Sequence, residues 1–160
     1  MQAVEITHID FSPFGIVYDM NDYQNNVNIN HSNGEGWEDT NTAFPIIDSL
    51  ASLGYTLGTG CPFTAAMMER HEHTQEVLMC AGEPIIFLVA KATEENQPDA
   101  KDVVPVLLKP GQIAVLHRKT WHSAAHGQNA ETHYYWMALC YKNEPTEWVE
   151  IKNGPVVVEN

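Results

Sequence analysis

A chain of 160 residues, 44% of them apolar and 18% charged, has the length for one domain with a substantial core and lacks the bias of a disordered chain. Twenty-one acidic residues against 8 lysines and arginines leave a net charge of −13, which excludes the clustered basic surface that nucleic acid or an anionic membrane requires. No apolar run approaches the ~20 residues of a spanning helix, MQAVEITHID lacks the basic start and apolar core of a signal peptide, and three isolated cysteines (Cys61, Cys80, Cys140) suit a reducing compartment, so a cytoplasmic protein is expected.

In chain order, strand signals outnumber helix signals. Ala3 to Ile6, Gly15 to Tyr18 and Asn26 to Ile29 are short and rich in β-branched or aromatic residues. The one good helix candidate is Ala43 to Leu53, with Thr42 to cap it, Gly54 to end it, and Ile46, Ile47 and Leu50 on one face. Further strands are expected at Ile85 to Ala90, Val103 to Leu108, Gln112 to Leu116, Tyr134 to Cys140 and Trp148 to Ile151. Turn clusters such as Ala81-Gly82-Glu83-Pro84 and Lys109-Pro110-Gly111 separate them, and the polar stretch Lys91 to Lys101, which carries Pro98, reads as an exposed loop. Neither a repeat nor a second domain is visible. Many short strands with one or two short helices predict a mainly β sandwich or barrel spanning residues 1–160.

Two stretches concentrate the chemistry. Within Met67 to Ala90, Glu69, His71, His73, Gln75 and Glu76 lie inside eight residues. On an extended strand Glu69, His71, His73 and Gln75 would share one face, with Arg70, Glu72 and Thr74 on the other. Such a row suits the lining of a cavity, although histidine pairs also occur on solvent faces. In Lys109 to His126, a Pro-Gly turn and the strand Gln112 to Leu116 lead into His117, Arg118, Lys119, Trp121 and His122. That spacing serves a metal or anion site, or a surface loop with one packed tryptophan. His8, His31, His126 and His133 read as surface or structural groups, and Cys61 and Cys80 have no evident base to activate them.

Together the two stretches resemble the two motifs of the cupin fold. The second motif is a glycine, five residues, then P-x-G-x-x-H. Here Gly111 and five residues precede His117 to His122, with His122 at the metal-histidine position and His117 and Lys119 replacing the proline and glycine. The first motif, H-x-H followed by a glutamate, fits with Glu69 and His71 as the pair and Glu76 after them, or in another register with His71 and His73. Glutamate for the first histidine narrows the resemblance to the ureidoglycolate lyases. Three separated segments carry it: Phe11-Ser12-Pro13-Phe14-Gly15-Ile16-Val17, then Glu69-Arg70-His71 with Gly82-Glu83-Pro84 and the strand behind it, then His117-Arg118-Lys119-Thr120-Trp121-His122.

The resemblance implies a cupin-like β-barrel, or double-stranded β-helix. It also implies a lyase releasing urea from ureidoglycolate, and a homodimer. On that basis His71, His122, Glu69 and Glu76 are the candidate catalytic residues. Arg118, Lys119, His117, Gln75 and Trp121 are candidates for holding a small anionic substrate. The same residues offer a second use: Glu69, His71, His73, Glu76 and His122 as mixed nitrogen and oxygen ligands for a divalent transition metal, with Mn, Fe, Ni and Zn all compatible. No organic cofactor is implied. His73 and the pairing of Glu76 with Gln75 depart from the family pattern. They leave room for another metal-dependent cupin, such as a sugar isomerase, or for a non-enzymatic binding cupin.

Overall fold

The run Ile85–Ala90 is the centre of the molecule, and every one of its six side chains is buried. A strand that is apolar on both faces must be covered on both, and this requirement sets the layers. In the computed structural model, which describes residues 1–141 and 145–159, sixteen strands follow one another. They are β1 (Val4–Glu5), β2 (Gly15–Asp19), β3 (Ile29–Gly34), β4 (Trp37–Thr42), β5 (Ser52–Gly58), β6 (Phe63–Ala65), β7 (Met67–Glu69), β8 (Glu76–Cys80), β9 (Ile85–Ala90), β10 (Val104–Leu108), β11 (Gln112–Leu116), β12 (Trp121–His122), β13 (His126–Gly127), β14 (Thr132–Ala138), β15 (Trp148–Glu150) and β16 (Val156–Val158).

Two sheets face each other. One runs β1-β10-β9-β12-β7-β15, with β13 also on β9, and the other runs β2-β11-β8-β14-β5. Between them lies the main core: Ile85, Phe87, Val89, Val106 and Leu108 from the first sheet, and Leu78, Ala114, Leu116 and Tyr134 from the second, closed by Phe11 and Phe14. The alternate residues of β9, Ile86, Leu88 and Ala90, pack outward under Phe63, Met68, Trp121, Ile151 and Val158. The outer face of the second sheet is covered in part, where Val77, Val115 and Tyr18 meet Ile29, Ile46 and Ile47. This two-sheet closure is the cupin-like β-barrel expected from the motifs.

Several local expectations are corrected. Ala43 to Leu53 forms no helix. Thr42 pairs with Ile29 as the last residue of β4, and the Ala43 N–H donates to Asn28 O (2.8 Å), so the hairpin takes the groups a cap would use. Pro45 offers no donor, and β5 begins at Ser52. The only helical pieces among the described residues are 3-10 turns at Ile6–His8, Met20–Asn25 and Ala100–Asp102. The strand expected at Asn26 starts at Ile29, because Asn26 Oδ1 accepts from the Asn28 N–H and makes a turn there. Finally, no single strand runs through Glu69 to Gln75: β7 stops at Glu69, β8 starts at Glu76, and a loop joins them.

Candidate metal and substrate site

That loop brings the two sequence motifs together. Glu69 ends β7 directly opposite His122 of β12, and Trp148 of β15 lies on its other side. Cross-strand partners point to one face of the sheet. Met68, one residue earlier, is buried on the opposite face. Glu76 opens β8 with Leu78 two residues on, so both side chains turn toward the interior. His71 sits in the loop, and its carbonyl accepts from the Lys119 N–H (2.8 Å), which ties the first motif to the second. Lys119 occupies the cupin glycine position and adopts φ 69° to make this turn.

Both imidazoles converge on one carboxylate oxygen. His71 Nε2 lies 2.7 Å and His122 Nε2 3.1 Å from Glu76 Oε2, and His122 Nε2 is 3.7 Å from Glu69 Oε1. His122 Nδ1 donates to Thr120 O (3.0 Å), which fixes the ring with its Nε2 toward the carboxylates. Burial by itself raises the Glu76 carboxyl, but His122 and His71 outweigh it and hold the group down at about 2. Burial works against an imidazolium at His122, but Glu76 and Glu69 pull its pKa up to about 9. Glu69 is raised by burial, in part offset by His122 and reinforced by the Glu76 charge.

One donor atom from each of Glu69, His71, Glu76 and His122 lies within 4.8 Å of the others. Two imidazole nitrogens and two carboxylates, with a backbone carbonyl fixing one ring, form a donor set that fits a divalent transition metal. The set contains every expected ligand except His73, which is exposed on the loop because the strand period ends at Glu69. The residues that converge belong to the register pairing Glu69 with His71.

Glu69, His71 and Glu76 border a cavity of about 510 Å³, with Thr56, Leu78, Ser123, Tyr134, Trp136 and Trp148 among its other walls. The expected anion-holding residues lie elsewhere. Arg118 is exposed and makes a two-pronged pair with Asp48 (2.9 and 2.6 Å). Lys119 is exposed and pairs with Glu72 (3.3 Å), and His117 is exposed. Gln75 Oε1 accepts from the Asp48 N–H (3.3 Å). Trp121 is buried beneath Arg70, whose guanidinium carbon stands 4.6 Å from the ring centroid. Both line a neighbouring cavity of about 380 Å³ that shares His71, Cys140 and Thr146 with the first.

The cavity residues that sequence reading missed come from β14 and β5. Tyr134, Trp136 and Ala138 alternate on β14, and Thr56 is the cross-strand partner of Tyr134. The alternation was visible, but nothing in it says which face turns to the histidines.

A family model described as ureidoglycolate lyase matches residues 1–153 of the chain. No curated protein sequence matches it. Among solved structures, it is similar to a dTDP-4-dehydrorhamnose 3,5-epimerase from Elizabethkingia anophelis NUHP1 (8% identity, TM-score 0.49, covering 74% of this chain and 70% of that one). It is also similar to a dTDP-6-deoxy-D-glucose-3,5-epimerase from Legionella pneumophila Philadelphia 1 (8% identity, TM-score 0.45, covering 72% and 66%).

Proposed function

Because the chain belongs to the ureidoglycolate lyase family, we propose that it is a metal-dependent lyase cleaving the carbon–nitrogen bond of ureidoglycolate or a closely related small hydroxy-acid derivative. The observation that carries this reading is the convergence of Glu69, His71, Glu76 and His122, the first three of which border a cavity. Ureidoglycolate is an anion, and the described residues lining that cavity include two carboxylates and neither lysine nor arginine. Two carboxylates repel an anion, and a bound divalent cation would offset them more fully than the single charge of His122.

His71, His122 and Glu76 would hold a divalent metal, which would supply the positive charge for the substrate carboxylate and hydroxyl. Glu69, its carboxyl raised by burial, takes the hydroxyl proton as the carbonyl of glyoxylate forms. It then returns that proton to the nitrogen of the departing urea as the carbon–nitrogen bond breaks. Glu76, a ligand in this reading, stays a carboxylate. In this reading the small anion is the partner, a second copy of the chain completes a homodimer, and the reaction belongs to the cytoplasm.

The test is release of glyoxylate and urea from ureidoglycolate by metal-loaded protein. Glu69→Gln is expected to lower kcat by about a hundredfold or more in protein whose metal sites have been filled. Absence of turnover by metal-replete wild type, with the ligand retained, would make the protein a binding cupin instead.

A further inference from the structure

Beyond Glu69, His71 and Glu76 the cavity wall combines the hydroxyls of Thr56, Tyr134 and Thr146 with a group of apolar side chains. Trp136 commits its Nε1–H to Thr56 Oγ1 (3.1 Å). The Ser123 hydroxyl donates to Ala124 O (2.7 Å) while accepting from the Leu88 N–H (3.0 Å). These wall donors are therefore satisfied within the protein. Leu78, Ala138, Trp136 and Trp148 present carbon. A polar group lodged against those carbon faces would lose water without regaining equivalent hydrogen bonds, and such a loss is costly. The cavity, about 510 Å³, also lies in the range that takes drug-sized ligands rather than a group of a few atoms.

Gly54 shows that the aromatic wall is built in. It is the cross-strand partner of Trp136, and a Cβ at Gly54 would collide with the indole. The ring therefore stacks over bare backbone and keeps its place in the wall.

We propose that the substrate of this chain carries an apolar, ring-sized substituent, seated against Trp136, Trp148 and Leu78, while its 2-hydroxy-acid head lies at Glu69, His71, Glu76 and His122. The proposal rests on the lyase reading for the reaction and specifies the leaving half: an N-substituted relative of ureidoglycolate, whose departing amide bears the apolar group. The chemistry balances as before, since the hydroxyl proton moves to the departing nitrogen and the carbonyl forms as that bond breaks.

Binding separates this proposal from the reaction itself. Metal-loaded full-length protein is titrated calorimetrically with glycolate and with mandelate, which add the same 2-hydroxy-acid head without and with a phenyl ring. Mandelate is expected to bind about tenfold to a hundredfold more tightly, the gain of burying one ring. Ala138→Leu, which fills the cavity, and Trp148→Ala, which opens it, should each shrink that preference, read as the ratio of the two affinities. Equal affinity for the two acids, no saturable binding of either, or a preference untouched by both variants would overturn the proposal. Mandelate preference in a protein that cleaves neither ureidoglycolate nor its N-benzyl derivative would leave the apolar subsite standing and remove the lyase reading. Rapid turnover of ureidoglycolate with no preference for mandelate would do the reverse.

Discussion

His71 and His122, fifty-one positions apart in sequence, direct their Nε2 atoms at the same oxygen of Glu76, at 2.7 and 3.1 Å. Two imidazole donors sharing one carboxylate oxygen define the space where a cation belongs. Wild type is expected to bind one divalent metal per chain. His122→Ala should weaken that binding by more than the about 10–100-fold that loss of a supporting group costs. Glu76→Ala removes the partner of a buried imidazolium and is expected to cost about 3–5 kcal/mol of stability. Metal analysis of untagged protein and thermal unfolding of each variant check both outcomes.

The same pair sets opposite pH dependences with and without metal. In the metal-free chain, Glu76 is lowered from 4.5 to about 2, so its contribution is present above 4.5 and lost as pH falls through about 2. His122 is raised from 6.5 to about 9, so its contribution is complete below 6.5 and lost as pH rises through about 9. Metal-free stability from this pair therefore declines between those two values. A metal must displace the Nε2 proton of His122, because Nδ1 already donates to Thr120 O, and so its affinity rises across the same interval. The gap in Tm between metal-loaded and chelated protein should widen from pH 6.5 to 9. A constant gap would remove His122 from the ligand set.

The barrel and the pairing of the motifs were legible because they depend on local pattern. The apolar run Ile85–Ala90 announces a strand buried on both faces, and the spacing from Gly111 to His122 survives the loss of the cupin proline and glycine. What the sequence hid depends on where a strand stops. Alternation placed His73 beside Glu69 and His71, but β7 ends at Glu69 and the loop carries His73 into solvent. Arg118 reads as an anion contact because it falls in the segment His117 to His122 that carries the resemblance. Its partner Asp48 lies seventy positions away in a segment that reads as a helix. The helical pattern of Ile46 and Ile47 instead reflects packing of an irregular segment on the outer face of a sheet.

Lys119 tests the turn that joins the motifs. Its φ of 69° costs a side-chain-bearing residue about 1 kcal/mol relative to glycine, and its own ion pair with Glu72 is exposed. The bond from its N–H to His71 O survives replacement. Lys119→Gly is expected to preserve metal binding and to raise stability by up to about 1 kcal/mol, as measured by denaturant unfolding.

The edge strand β5 offers a face for a second copy. Leu53, Tyr55 and Leu57 alternate along it at 67%, 57% and 53% exposure, and Tyr135, the partner of Tyr55, lies exposed beside them. An edge strand with an uncovered apolar face is a ready surface for a two-fold contact, in which the same patch meets itself. The wild-type chain is expected to run as a dimer in light scattering, and Leu57→Glu should shift it to monomer while leaving its Tm within a few degrees. A wild-type monomer at high concentration would contradict the expectation.

Arg118, expected to hold an anion, pairs with Asp48 at the surface and lies outside the cavity walls described above. Its two-pronged bond to Asp48 lies at the surface, where the Asp48 carboxyl is held below its ordinary value mainly by hydrogen bonding to Arg118. Solvent and salt screen such a pair, so its removal costs little. Arg118→Ala is therefore expected to lower stability slightly and to leave KM for an anionic substrate within about twofold. The loss of stability should shrink further in high salt, because the lost interaction is a screened one. A tenfold rise in KM would instead show that the guanidinium leaves Asp48 to take the substrate carboxylate. The anion contact would then lie on the loop after β11 rather than at the metal.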